Sequence, residues 1–169
     1  MPAAVTHVIG SIVPIDLFRK YVLKKKQFPL YLVLIGGIAG LLPDIDVLVF
    51  WIIGSFTSLT LQDVHRNFTH TFFIPLLFLV IALVIWKWRQ TWAHIFFVLS
   101  AGWTLHILLD IILSFRGAPV WYPLSSIEYS LLLVPQDFLS GTFYVGLDAI
   151  VLILWLVYEY RARNIRDYL

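Results

Sequence analysis

An all-α fold, a multi-pass transmembrane bundle of four to five spans, is predicted for this chain of 169 residues by three observations. Hydrophobic residues make up 60% of it and charged residues 13%, against roughly 45–50% and about 25% in ordinary soluble domains. Several apolar stretches approach the ~20 residues that a helix needs to cross about 30 Å of hydrocarbon. Most lysines and arginines fall between those stretches. The same composition excludes a disordered tail and a coiled coil, and the absence of cysteine excludes a disulfide scaffold. The net charge of +2 comes from basic residues scattered among apolar segments, so no nucleic-acid partner is expected. Residues 1–169 are read as a single integral membrane domain.

The segments follow in order. Residues 3–23 contain His7, Pro14, Asp16, Arg19 and Lys20, so this stretch is expected either to cross or to lie partly in the bilayer. It has no basic leader and no small-residue cleavage site, and it is read as retained rather than as a removable signal peptide. Leu30 to Gly54 is long and is interrupted by Pro43, Asp44 and Asp46, which predicts a broken helix near Pro43. Thr71 to Trp86 is short and uninterrupted; Trp92 to Phe115 carries His106 and Asp110; Val145 to Tyr160 carries Asp148 near its start. Ser55 to Phe68 is a linker, as is Arg116 to Thr142 with its prolines at 119, 123 and 135.

Basic residues accumulate on the cytoplasmic side of membrane proteins. Arg19, Lys20 and Lys24 to Lys26 follow the first segment, Lys87 and Arg89 lie between the third and fourth, and Arg161, Arg163 and Arg166 follow the last. With five spans these regions share one face, leaving Arg66 and Arg116 on the other. The expected location is a cytoplasmic (inner or plasma) membrane with the C-terminus inside.

Threaded this way, His7, Asp44, Asp46, His65, His70, His106 and Asp110 all fall at a similar depth toward the outer face, although they come from four parts of the chain. An ionisable group in hydrocarbon costs about 2.5–3.5 kcal/mol, which makes each of them a candidate functional residue. His106 and Asp110 are four apart and share one helix face. His65 and His70 are five apart, and Asn67 and Thr69 suggest a helix start between them that lets a loop-borne His65 fold back. Asp44 and Asp46 would face nearly opposite ways on an ideal helix, so a break at Pro43 must re-aim them. Imidazole and carboxylate without thiolate form a ligand set for zinc, with manganese or iron as alternatives. Each group also has a bland use: Asp44 as the cap of a restarted helix, or a histidine as a helix-to-helix hydrogen-bond partner. Such uses do not require several histidines to meet carboxylates at one depth. Seven ligands exceed the three that a catalytic zinc needs, implying either one or two ions, with some residues orienting the others. Arg66 and Arg116 are candidates to hold a substrate phosphate.

The segments GLLPDID (Gly40 to Asp46), HRNFTHT (His65 to Thr71) and LHILLD (Leu105 to Asp110), followed by Gly117 and WYPL (Trp121 to Leu124), resemble the YdjM-like family of membrane-bound metal-dependent hydrolases over roughly residues 5–125. His7, Asp44, Asp46, His65, Arg66, Thr69, His70, His106 and Asp110 match motif positions. Asn67 stands where the family usually has glycine, and asparagine tolerates positive φ; Thr71 replaces a serine and keeps the hydroxyl. The family is distantly similar to zinc-dependent phospholipase C, which implies an α-helical fold and cleavage of phosphoesters.

The expected function is therefore a metal-dependent hydrolase that uses metal-activated water to cleave a phosphoester in a phospholipid or lipid-linked substrate at the outer membrane face. In this reading Arg66 and Asp46 are catalytic, Arg66 neutralising the phosphate and Asp46 acting as general base. The alternative is a divalent-cation or proton transporter using the same cluster, which the break at Pro43 suits and the absence of an internal repeat does not. A metal-free phosphatase of the PAP2 type, which also has a histidine four residues before an aspartate, ranks third, because SAGWTL before His106 contains no arginine.

Overall fold

The computed structural model describes residues 4–23, 28–58, 60–66, 68–113, 117–131, 133 and 142–161. Within them the chain is helical: α1 (Ala4–Tyr21), α2 (Leu30–Ala39), a 3-10 turn (Leu42–Asp44), α3 (Ile45–Ile53), α4 (Leu61–Val64), α5 (Phe73–Ile85), α6 (Gln90–Leu113) and α7 (Thr142–Arg161). A lone antiparallel bridge joins Ala118 to Tyr129 in the connection after α6.

Among the described residues two helical stretches are long and apolar enough to cross a membrane, Leu30–Ile53 and Gln90–Leu113. The expectation of four to five spans is not met by this measure. With 13 residues, α5 reaches only about 20 Å at 1.5 Å per residue. Charged side chains interrupt the last turns of α1, where Asp16 pairs with Arg19 at 3.3 Å and Lys20 at 2.6 Å.

The first stretch breaks at the expected place. Pro43 has no N–H to offer Ala39 and disfavours helical geometry in the residue before it, so α2 stops and the chain passes through the 3-10 turn into α3. In a continuous helix the Asp44 N–H would bond the Gly40 carbonyl; here it reaches Leu41 O at 3.1 Å instead. The Gly40 carbonyl is thereby released from the backbone ladder.

At the centre of the bundle, α6 packs against α1, α2 and α5. Ile12 and Ile15 of α1, Leu32 and Val33 of α2 and Val98 of α6 form one buried cluster; Trp103, Ile107, Ala118 and Val120 form a second. Glycines let the backbones approach. A methyl group at Gly102 would run into the Gly36 carbonyl and lie 2.8 Å from Ala39 Cβ, and one at Gly40 would lie 2.9 Å from the His7 carbonyl oxygen. Such small-residue contacts are the usual device where the hydrophobic effect cannot drive helices together. They also bring the His7 end of α1, the broken end of α2 and the middle of α6 to one place.

Asp148 anchors α7 to this core. Its carboxylate accepts the backbone N–H groups of Val5 (3.2 Å) and Thr6 (2.9 Å) and the Thr6 hydroxyl. It caps the first turn of a helix far away in sequence, whose leading N–H groups have no partner of their own. Asp148→Ala is expected to cost about 1–2 kcal/mol, the range for lost caps, read as a lower thermal midpoint in detergent; an unchanged midpoint would count against the anchor. At the other end of α1, Arg19 Nε donates to Phe28 O at 2.7 Å. His94 sits edge-on to the rings of Phe28 and Trp86, apart from the cluster described next.

Candidate metal centre

The structure brings together all seven residues singled out from the sequence. His7 comes from α1, Asp44 and Asp46 from the broken segment, His65 and His70 from the turn between α4 and α5, and His106 and Asp110 from α6. His7, His70, His106 and Asp110 have no exposed surface, Asp46 is nearly buried, and Asp44 is the most open of the three aspartates, its side chain 22% exposed. Three overlapping sets have ligand atoms close enough to hold a metal ion: His7, His106 and Asp110; Asp44, His70 and His106; and Asp46, His65 and His70.

His106 and His70 form the middle of the cluster. His106 Nδ1 lies 2.7 Å from the carbonyl that the break at Pro43 released, that of Gly40. A carbonyl only accepts, so Nδ1 carries the proton of this neutral ring and Nε2 is left with its lone pair. That Nε2 is 3.1 Å from His70 Nε2, 3.7 Å from Asp44 Oδ1 and 3.9 Å from Asp110 Oδ2. His70 Nε2 is itself 3.6 Å from Asp44 Oδ1 and 3.4 Å from Asp110 Oδ2. Asp44 reaches the Nε2 side of the His70 ring, whereas Asp46 Oδ2 lies 3.7 Å from its Nδ1. The 3-10 turn thus lets two carboxylates only two residues apart straddle one imidazole.

His7 stacks on His106, with centroids 3.9 Å apart, and its Nε2 is 3.7 Å from Asp110 Oδ1. Asp44 Oδ1, both oxygens of Asp110 and both nitrogens of His7 are buried without a hydrogen bond. Buried polar atoms are seldom left so, and an ion is one recognised explanation. Here Asp44 Oδ1, Asp110 Oδ2 and the bare Nε2 of His106 all lie within 3.6 Å of His70 Nε2, which is a donor set for a cation and fits a divalent metal.

Several expectations change. Asp44 occupies the N-cap position of α3, but its side chain makes no capping hydrogen bond, so capping does not account for it. The helix expected to start between His65 and His70 begins only at Phe73, leaving both histidines on the turn with ring centroids 5.0 Å apart. Positive φ falls on Arg66 (71°); Asn67, where it was expected, lies outside the described residues. Arg66 is buried, with Nη2 3.2 Å from Asp110 Oδ2 and its backbone N–H donated to Asp46 Oδ2 at 3.1 Å. Asp46 is not the uncommitted carboxylate expected of a base: besides Arg66 it accepts the Thr69 hydroxyl at 2.6 Å, and it lies 2.8 Å from His65 Nδ1. Arg116 lies outside the described residues.

Sequence reading overlooked two contributors. The Gly40 carbonyl orients His106, and its signal was the proline three residues later. Thr69 matched a motif position without a role; its carbonyl accepts Trp103 Nε1 at 2.7 Å, which pins the turn to α6.

A family model described as YdjM inner membrane protein matches residues 1–166. This chain belongs to the YdjM inner membrane protein family. No curated protein and no solved structure matches it. The family description places the chain in a membrane, in agreement with its two long apolar helical stretches.

Proposed function

We propose that this protein is a metal-dependent hydrolase acting on a phosphoester of a phospholipid or lipid-linked substrate at the outer face of a cytoplasmic membrane. The supporting observation is the meeting of His70 Nε2, His106 Nε2, Asp44 Oδ1 and Asp110 Oδ2 around one buried point. Those four residues would hold the ion, with His7 beside them. Zinc is the first candidate and manganese or iron the others. When bound, such an ion supplies Lewis acidity and a water of lowered pKa.

The remaining work falls to the chain. Arg66 keeps Asp110 paired and is the residue assigned to a phosphoryl oxygen, since its planar fork of five donors suits one. Asp44, the most accessible of the three carboxylates, is assigned the proton of the attacking water, because Asp46 is occupied by the turn that carries the histidines. In the membrane α1, the α2–α3 stretch, α5, α6 and α7 are taken as the four to five spans. Arg19 and Lys20, Lys87 and Arg89, and Arg161 are taken as their cytoplasmic ends.

Elemental analysis of the detergent-purified protein tests the reading first. About one or two equivalents of metal are expected, lost in His70→Ala, together with metal-dependent release of phosphate or headgroup from a phospholipid panel. No bound metal after reloading overturns the proposal. Bound metal with no turnover across the panel, and with ion flux into liposomes, would instead support the transport reading that the broken α2–α3 stretch favours.

A further inference from the structure

Thr69 stands between the two sides of the cluster, and its hydroxyl has a single proton to give. Its Oγ1 is 2.6 Å from Asp46 Oδ2 and 3.0 Å from His70 Nδ1. Asp46 already accepts the Arg66 N–H on the same oxygen and faces His65 Nδ1 with the other. It is an acceptor on every side, so the hydroxyl proton is directed to it. What Thr69 offers His70 is then a lone pair, and the His70 nitrogen facing it must bring the hydrogen. A neutral imidazole has one N–H. With that hydrogen on Nδ1, Nε2 is bare.

We infer that Thr69 is a positioning residue: by accepting from His70 Nδ1 it fixes the tautomer of His70 and aims the Nε2 lone pair at the point already faced by His106 Nε2. The two nitrogens, 3.1 Å apart, then hold no proton between them, an arrangement that a shared cation stabilises and that two neutral rings alone do not. The hydroxyl relays the orientation of Asp46 to a ring that Asp46 itself only approaches, at 3.7 Å. A carboxylate thus acts on His70 from one residue further out, as partners of ligating histidines commonly do. The metal-binding consequence rests on the function proposed above, whereas the tautomer does not.

The test uses the full chain in detergent with 15N-labelled histidine, as the parent, Thr69→Ser and Thr69→Val. In metal-free protein the parent and Thr69→Ser are expected to show His70 protonated at Nδ1, and Thr69→Val to move the hydrogen wholly or partly to Nε2. Titration with cobalt(II), followed by its visible absorption and checked against zinc competition, should give affinity about 10–100-fold weaker in Thr69→Val. Thr69→Ser should stay within a few-fold of the parent. Thr69→Ala repeats the comparison if the valine variant does not fold. A hydroxyl-free variant that keeps both the Nδ1 hydrogen and the parent affinity overturns the inference, as does a serine variant that loses both. If the parent binds no metal, the hydrolase reading fails and the nitrogen spectra alone decide the role of Thr69.

Discussion

Asp110→Ala is expected to abolish metal binding and to lower stability by about 3–5 kcal/mol, the range for breaking one side of a buried ion pair. Asp110 is fully buried and is the point where the cluster's positive and lone-pair-bearing groups meet. One oxygen faces His7 at 3.7 Å; the other faces Arg66 at 3.2 Å, His70 at 3.4 Å and His106 at 3.9 Å. Removing it leaves the buried Arg66 guanidinium without this carboxylate and takes away a central oxygen donor. Asp110→Asn separates the two effects, because it keeps the volume and one carbonyl oxygen but not the charge. It should lose the metal while unfolding closer to the parent. Thermal unfolding in detergent and metal content measured on the same samples decide the matter, and parent-like metal content in both variants would remove Asp110 from the ligand set.

Gly102→Ala should be nearly as damaging, although the residue is not itself a candidate ligand. The added methyl would meet the backbone carbonyl of Gly36 and lie 2.8 Å from Ala39 Cβ, so no flexible side chain is there to move aside. The helices must separate. Over-packing of this kind costs about 1–3 kcal/mol, and His106 sits one turn further along the helix that moves. The expected result is a lower unfolding midpoint accompanied by weaker metal binding. A midpoint shift with unchanged metal affinity would mean that the contact between α2 and α6 supports the fold and not the geometry of the centre.

The candidate residues in the apolar segments were legible because each is a polar group where apolar residues surround it, a contrast that needs no knowledge of partners; His65, in the linker, was legible from the HRNFTHT segment that it opens. The break at Pro43 was legible for an equally local reason, the missing N–H of proline. Partners were not legible. Asp148 stood out in the sequence only as a charge near the start of its segment, and nothing near it announces the N-terminus of α1 as what it caps. Arg66 read as a residue to hold a phosphate, and only the folded chain seats it against Asp110. No residue preference announced the positive φ of Arg66, which is held by its N–H on Asp46 and its guanidinium on Asp110. Hydropathy located the apolar segments but led to four to five expected crossings, whereas among the described residues two helical stretches are long and apolar enough, because α5 is short and α1 carries its charges in its last turns.

The carbonyl freed at Gly40 couples residues that never meet. A backbone carbonyl left alone in an apolar interior costs about 1–3 kcal/mol, so a helix broken there would ordinarily be disfavoured. The imidazole of His106, arriving from another helix at 2.7 Å, removes that penalty and is itself oriented in return. Pro43 and His106 therefore form one thermodynamic unit: changing either alters what the other is worth, and their effects on stability should not add. A fault in one helix and a ligand on another are two halves of the same interaction.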